Sequence, residues 1–289
     1  MSGQIGCVAL DPVGARLDID LSVPLDADQQ DELRRLLAQH HLFVLEGQSL
    51  TLDDQIRVMS HFGPVSRTEG PAGVGDFVSR DTKVGGLASG ALAFHSDLAH
   101  SPIPMIAISL HALDVTPGAT STMFVDGART LARLPQDLRD RIDGLEVWHC
   151  FPTNTPEQFR TFGAPPSEIN EALPLEQRPI VMEHPRTGEP VLYVFPMMTD
   201  HAVGLPLAES DELLAELFSY LYQPENIYEH PWKNGDVVIW DNIAVQHGRR
   251  DQHDVGTRLL QRVVTAEKGF YEQHPNMTQR GGHAVLADY

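Results

Sequence analysis

The sequence predicts a mainly β protein with flanking helices, in which short strands form a barrel or a double-sheet jelly roll. From residue 91 onward, short apolar runs of strand length dominate, and turns containing Pro or Gly separate them. Helical patterns interrupt these runs at only a few places. The 289 residues are 42% hydrophobic and 21% charged, which suits one sizeable core. We therefore expect a single domain over residues 1–289.

The first part of the chain is predicted to be mixed. Asp26–Gln39 has leucines at helical spacing and is followed by a short apolar strand, Leu42–Leu45. Thr51 is predicted to cap a second helix that runs through Phe62, because acidic residues follow it and suit a helix N-terminus. Gly70–Gly90 is rich in glycine and is predicted to be a mobile loop of the kind that often forms a lid.

Later elements follow from the same patterns. The predicted strands are Met105–Leu110, Leu145–Cys150, Ile180–Glu183, Val191–Phe195, Val237–Trp240 and Leu259–Thr265. The predicted helices are Asp126–Leu134, Gln136–Ile142 and Asp211–Tyr222. Of the histidines outside the motifs below, we expect His100 to lie in a loop, His149 at the end of a core strand, and His201, His230 and His253 at the surface or in loops.

Charge and composition limit the possible partners. The net charge of −19 repels phosphate backbones and argues against a nucleic-acid partner, and an anionic substrate would need a local basic pocket. The best apolar run, Pro104–Leu113, is too short for a membrane span, and Met1–Asp20 lacks a signal-peptide pattern. Cys7 and Cys150 are far apart, as expected in a reducing compartment, so the cytoplasm is the expected location.

A His-x-Asp motif is the first candidate site. Residues i and i+2 of an extended chain point to the same side, so His95 and Asp97 can reach one ion. His247, from a distant segment, offers a third ligand, and two histidines with one carboxylate leave three positions open on Fe(II). The motif alone is common, and the same residues could hold Zn(II) in a hydrolase.

A strand with two arginines is the second candidate site. A period of two puts Arg258, Leu260, Arg262 and Val264 on one face of residues 258–264. Both faces are partly apolar, so we expect the strand to be covered on both sides, where guanidiniums need anionic partners. Arginine forks match carboxylates, so this face is typical of a site that binds acids. The alternative is a solvated edge strand with ordinary surface arginines.

An ordered set of motifs resembles the taurine dioxygenase / 2,4-dichlorophenoxyacetate dioxygenase (TauD/TfdA) family of Fe(II)/2-oxoglutarate enzymes. The motifs are Val44–Gln48, His95–Asp97, Ala119–Phe124, His184–Gly188, Leu192–Val194, Gly235–Asn242 and Gln246–His247, with Arg258 eleven residues later. The resemblance runs from about Leu42 to about Phe270. It implies a double-stranded β-helix, a cupin-like jelly roll, whose core over residues 42–270 carries an N-terminal helical elaboration and a C-terminal tail.

The resemblance also implies cofactors and their residues. His95, Asp97 and His247 are implied to hold Fe(II). Arg258 is implied to pair with the distal carboxylate of 2-oxoglutarate, assisted by the hydroxyl of Thr122, which lies 27 residues after His95.

Further positions are implied for the cosubstrate and the substrate. Trp240 is expected against the cosubstrate or the metal shell, or else as a core aromatic of the barrel. Arg262 corresponds to a family arginine that binds the acidic group of the substrate or shares the cosubstrate's charge. Leu98 and Met198 match positions that face substrate, and both are apolar. The implied substrate therefore has a hydrophobic body and an acidic end.

The implied reaction consumes O2, converts 2-oxoglutarate to succinate and CO2, and oxidises a small organic acid, with hydroxylation as the main expectation. Three alternatives stay open: desaturation or epoxidation of a natural-product intermediate with the same cofactors, a zinc hydrolase, and a non-catalytic jelly-roll binding protein. Halogenation is disfavoured because Asp97 occupies the carboxylate position. Family members are often dimers or tetramers, so a homo-oligomer is expected.

Overall fold

The computed structural model describes residues 5–66, 76–79, 91–118, 121–150, 174–250, 256–280 and 283–286. The helices are α1 (Ala27–His40), α2 (Leu52–Met59), α3 (Gly127–Arg133), α4 (Gln136–Ile142), α5 (Leu207–Leu221) and α6 (Phe270–Gln273). The strands are β1 (Gly6–Ala9), β2 (Ala15–Asp18), β3 (Leu42–Leu45), β4 (Val65–Ser66), β5 (Asp76–Ser79), β6 (Leu92–His95), β7 (Ala107–Val115), β8 (Ser121–Asp126), β9 (Glu146–Cys150), β10 (Leu175–Pro179), β11 (Val181–Glu183), β12 (Pro190–Leu192), β13 (Thr199–Ala202), β14 (Ile227–Pro231), β15 (Val237–Asp241), β16 (Val245–Arg249), β17 (Arg258–Thr265), β18 (Met277–Arg280) and β19 (His283–Leu286). Among the described residues, no helix is long and apolar enough to cross a membrane.

Two sheets enclose the main core. The larger has the strand order β1-β2-β3-β15-β7-β17-β4, with β5 also paired to β17, and the smaller has the order β14-β8-β16-β6. Side chains from both sheets form one buried cluster that includes Phe124 on β8, Val245 on β16, and Trp240 and Leu260 on β15 and β17. The expected mainly β, double-sheet architecture is therefore confirmed.

The larger sheet contributes side chains to two cores, because successive side chains along each strand point to opposite faces of the sheet. On β15, Val238 and Trp240 belong to the central cluster between the sheets. Val237 and Ile239 point the other way and pack in a second cluster with the buried leucines of α1, Leu33, Leu36 and Leu37. A strand buried on both faces has this continuous apolar sequence, so the run that predicted β15 reflects its central position.

The smaller sheet is covered on its outer face by helices. Met123 and Val125 of β8 pack there with Leu131 of α3, Leu138 of α4 and Leu214 of α5. The order of layers is therefore helices, larger sheet, smaller sheet, helices. In this arrangement the space between the two sheets is filled by side chains from their inner faces.

Most predicted elements are present with shifted ends. β3 and α4 have the predicted bounds, and Thr51 caps α2 as expected, although α2 ends at Met59 instead of Phe62. Within Gly70–Gly90, Asp76–Ser79 is a strand, which corrects the loop prediction there; the rest of that segment lies outside the described residues.

The N-terminal elaboration contains more than the expected helix. Two strands precede α1, and Ala15 of β2 pairs in parallel with Phe43 of β3, so this segment extends the larger sheet. Each of the two strands has only four residues, and β1 is mostly exposed. Such short strands give no periodic signal, so their position depends on the partner strand.

Candidate active site

Alternation along the strands brings the predicted site residues to the inner faces of the two sheets. On β16, His247 follows the core residue Val245 by two positions. On β8, Thr122 precedes the core residue Phe124 by two positions. Residues two apart on a strand share a face, so His247 and Thr122 point between the sheets.

The arginine strand follows the same rule. Leu260 of β17 belongs to the central cluster, and Arg258 and Arg262 flank it two positions away on either side. Val263, on the opposite face, belongs to the cluster beneath α1. The prediction that both faces of this strand are covered is confirmed, and the edge-strand alternative is wrong because β17 lies between β7 and β4.

His95, Asp97 and His247 form a group of potential metal ligands. Their ligand atoms all lie within 4.8 Å of one another. His95 and His247 are cross-strand partners on β6 and β16, with ring centroids 4.1 Å apart. Gly248 allows these strands to approach, because a Cβ there would lie 3.0 Å from the carbonyl oxygen of Leu92. Within the described ranges, no second group of this kind is present.

Both imidazoles are set up to offer a lone pair. His95 Nδ1 lies 2.9 Å from the carbonyl oxygen of Ala93, which can only accept, so Nδ1 carries the proton and Nε2 carries the lone pair. Burial, followed by the neighbouring His95, lowers the pKa of His247 to about 3. A neutral imidazole is the form that binds a metal ion, and in His95 the bond to Ala93 also defines which nitrogen is free to bind it.

The carboxylate of Asp97 is ionised and directed at these imidazoles. Burial opposes its charge, but the guanidinium of Arg262 and the two histidines outweigh that effect and hold the pKa of Asp97 well below its usual range. Arg262 Nη2 donates to Oδ2 of Asp97. The other oxygen, Oδ1, lies 3.2 Å from His95 Nε2 and 4.0 Å from His247 Nε2. One oxygen is thus available to a metal while the other is held by Arg262.

Asn242 holds the His-x-Asp segment against the turn between β15 and β16. Its Oδ1 accepts from Asp97 N at 3.0 Å, and its Nδ2 donates to Asp97 O at 2.9 Å. Ser96 Oγ donates to the carbonyl of Asn242. These bonds fix two of the three predicted ligand segments relative to each other. This role of Asn242 was not predicted from the sequence, although a polar residue at the end of an apolar strand is a signal for it.

Asp241 orders the same turn from its other side. Its Oδ1 accepts from the backbone N–H groups of Ile243 at 2.9 Å and Ala244 at 3.2 Å. His184 Nε2 lies 3.0 Å from its Oδ2, which also accepts from Arg186. Burial raises the pKa of this carboxyl, but His184 and Arg186 overcome that effect and lower it to about 2. The turn that leads into β16 is therefore rigidly held.

The predicted cosubstrate residues lie together on the inner faces. Arg258 Nη2 donates to Thr122 Oγ1 at 3.3 Å. Arg258 is 3% exposed, and burial together with the nearby Arg249 lowers its pKa to about 9. A bound carboxylate would relieve both effects, so this site fits the distal carboxylate of 2-oxoglutarate. Arg249 was missed by the sequence analysis, although it follows His247 by two positions and so shares its face.

Of the remaining predicted residues, Trp240 lies against His247, and Leu98 directly follows Asp97 in the chain. Trp240 is 1% exposed, its ring lies 4.9 Å from that of His247, and its indole N–H has no partner among the described residues. Leu98 is buried, with its backbone in the left-handed region at φ 61°. Met198 is buried in a cluster with Ala99, the residue after Leu98.

Two histidine predictions were wrong. His230 and His201 are buried, not at the surface, because each lies beside a carboxylate that satisfies it. His230 Nε2 is 3.1 Å from Asp236 Oδ2, and His201 Nδ1 is 2.8 Å from Asp200 Oδ2. His253 lies outside the described residues.

Comparison with known proteins assigns the chain to a family. The model of the family described as "Taurine catabolism dioxygenase TauD, TfdA family" matches residues 8–264. The alpha-ketoglutarate-dependent 2,4-dichlorophenoxyacetate dioxygenase of Cupriavidus pinatubonensis is 31% identical over 274 residues, which cover 86% of this chain and 93% of the relative.

Solved structures agree with that assignment. A taurine dioxygenase from Burkholderia xenovorans is 25% identical, with a TM-score of 0.76 and 91% of each chain covered. A structure of AAD-2 in complex with Mn(II) and N-oxalylglycine has a TM-score of 0.74 at 23% identity and covers 92% of this chain and 99% of that one. The jelly roll is therefore of the cupin-like, double-stranded β-helix type. The chain belongs to the TauD/TfdA family, and it is a dioxygenase that depends on Fe(II), 2-oxoglutarate and O2.

Proposed function

We propose that this dioxygenase hydroxylates a small organic acid with an apolar body at an iron centre held by His95, Asp97 and His247. The observation that carries the proposal is the convergence of two sets of groups between the same two sheets. One is a cluster of two imidazoles and one carboxylate, and the other is the buried Arg258–Thr122 pair. A zinc hydrolase would need the first set only, so the second favours the dioxygenase.

The protein groups have separate tasks in this reaction. When bound, Fe(II) and 2-oxoglutarate would allow O2 to act as the oxidant, with one oxygen atom going to succinate, formed with CO2, and the other to the substrate. His95 and His247 would hold the metal through Nε2, and Asp97 through the oxygen that Arg262 leaves available. Arg258 would bind the distal carboxylate of the cosubstrate, and burial on all sides excludes water from the bond that forms there.

Two features support an acidic, partly apolar substrate. The whole chain has a net charge of −19, yet Arg258, Arg249 and Arg262 concentrate positive charge on the inner faces. Leu98 and Met198 would contribute apolar contacts near Asp97. The relative from Cupriavidus pinatubonensis is named for an aryloxy acid, which makes that class the first to test.

A substrate panel tests this proposal. The protein with Fe(II), ascorbate and 2-oxoglutarate is mixed with aryloxy acids, other carboxylic acids and sulfonates, and with the neutral amide of each acid. We expect at least one acid to stimulate succinate release and to give a hydroxylated product, while its amide does not. Zn(II) in place of Fe(II) should give no succinate. Equal stimulation by acids and amides would contradict the acidic-substrate proposal.

Replacement of Arg262 tests the substrate anchor. Because a charge-assisted hydrogen bond to the acid is lost, we expect Arg262→Gln to raise the KM for the substrate at least about tenfold. Arg262 also donates to Asp97, so the affinity for Mn(II) must be measured without substrate, by calorimetry. A KM increase beyond any change in Mn(II) affinity supports the anchor; an unchanged KM would refute it.

The homo-oligomer, the single domain, the cytoplasmic location and the lack of a nucleic-acid partner stay predictions.

A further inference from the structure

Trp232 lies beside the predicted cosubstrate site without having been assigned a role. It follows β14, which pairs with β8 so that His230 is opposite Thr122. The tryptophan is 2% exposed and belongs to the central cluster. Its Nε1 donates to Thr122 Oγ1 at 2.9 Å. A buried indole N–H needs an acceptor, and here that acceptor is the threonine predicted to contact 2-oxoglutarate.

Thr122 therefore accepts two hydrogen bonds. One comes from Trp232 Nε1 and the other from Arg258 Nη2, at 2.9 Å and 3.3 Å. Neither an indole nor a guanidinium can accept in return, and a hydroxyl oxygen has two lone pairs. Both lone pairs are thus occupied, so the hydroxyl must donate its proton in a third direction. Within the described residues, Thr122 has no protein acceptor for that proton.

The position of Trp232 is itself fixed by buried polar contacts. Its ring meets that of His230 edge-on, with centroids 4.6 Å apart and an interplanar angle of 87°. His230 Nε2 lies 3.1 Å from Asp236 Oδ2, and the same oxygen accepts from Lys233 N at 2.9 Å. Asp236 thus holds both His230, two residues before Trp232, and Lys233, the residue after it. An indole held in this way has little freedom to turn away from Thr122.

We propose that Trp232 is a positioning residue for 2-oxoglutarate, which orients the hydroxyl proton of Thr122 toward the distal carboxylate bound at Arg258. The inference rests on the proposed function, because it takes Thr122 and Arg258 as the groups that bind this carboxylate. It also predicts selectivity. A 2-oxo acid with a distal carboxylate gains from the oriented hydroxyl, whereas a compound with only the chelating head group does not.

The test is a calorimetric titration of the Mn(II)-loaded protein with N-oxalylglycine, a stable analogue of 2-oxoglutarate, and with oxamate, which lacks the distal carboxylate. We expect Trp232→Phe to weaken N-oxalylglycine binding about tenfold. Without the indole N–H, the Thr122 hydroxyl is no longer oriented to donate to the charged distal carboxylate. The affinities for oxamate and for Mn(II) alone should be unchanged. Trp148→Phe makes the same substitution on β9 and serves as the control. Its affinities for N-oxalylglycine, oxamate and Mn(II) should equal those of the wild type.

A double-mutant cycle separates positioning from packing. Because Trp232 acts through the hydroxyl, Trp232→Phe should cause no further loss in a Thr122→Val background. Additive losses, or an equal loss of oxamate affinity, would show a structural role and overturn the inference. If Trp232→Phe does not fold, benzothienylalanine at position 232 removes the N–H and keeps the ring shape.

Failure of the proposed function has a different signature. If Thr122→Val binds N-oxalylglycine as tightly as the wild type, the cosubstrate site itself is wrong. If Thr122→Val weakens binding but Trp232→Phe does not, only the role of Trp232 is wrong.

Discussion

Replacement of Asp97 by alanine is expected to abolish iron-dependent turnover of 2-oxoglutarate, a loss of at least about three orders of magnitude. The change removes the only anionic ligand atom of the cluster and leaves Arg262 facing two imidazoles. A divalent cation next to an uncompensated guanidinium is repelled, so metal affinity and turnover should fall together. The measurements are succinate release with saturating Fe(II) and calorimetric titration with Mn(II).

A matched control is available on the surface. Asp137 lies exposed in the first turn of α4, so Asp137→Ala removes the same charge from the molecule without touching the cluster. We expect it to retain wild-type turnover and metal affinity. Full activity of Asp97→Ala in a metal-saturated assay would remove Asp97 from the ligand set.

The Arg258→Gln variant is expected to raise the KM for 2-oxoglutarate about a hundredfold, because two charge-assisted hydrogen bonds from one guanidinium are lost. The fit of this site to an anion comes from electrostatics. Burial and Arg249 both disfavour the charge on Arg258, and a carboxylate reverses that penalty. In thermal melts, N-oxalylglycine should therefore stabilise the Mn(II)-loaded wild type and have little effect on the variant.

Two comparisons sharpen the Arg258 test. Arg258→Lys keeps the positive charge but loses the planar guanidinium. Its KM for 2-oxoglutarate should therefore lie between the values of the wild type and of Arg258→Gln. Arg250→Gln removes an exposed arginine paired with Glu229 and should leave the KM unchanged. A wild-type KM in Arg258→Gln would contradict the assignment of the cosubstrate carboxylate to this residue.

The parts of the site that depend on local periodicity could be predicted from the sequence. A spacing of two put His95 with Asp97, and Arg258 with Arg262, on shared faces. The structure brings the first pair into one group of ligand atoms and puts the second pair on the face of the core residue Leu260. The direction of a side chain on a strand follows from its neighbours two residues away, so a short window suffices.

The parts that the sequence could not predict depend on contacts between distant segments. Trp232 meets Thr122 across 110 positions, and Asn242 meets Asp97 across 145. Nothing in a local pattern identifies such partners. His230 was predicted at the surface or in a loop for another reason: Asp236 is only 6 positions away, but it is the turn after β14 that brings its carboxylate to the imidazole.

A crystal structure of the protein with Mn(II) and N-oxalylglycine, with anomalous scattering measured at the manganese edge, would show which residues hold the metal and the cosubstrate. We expect one strong anomalous peak within bonding distance of Nε2 of His95, Nε2 of His247 and a carboxylate oxygen of Asp97. We also expect the distal carboxylate of the analogue to lie on Arg258 and Thr122. A peak elsewhere, or an analogue bound without Arg258, would contradict the proposed active site.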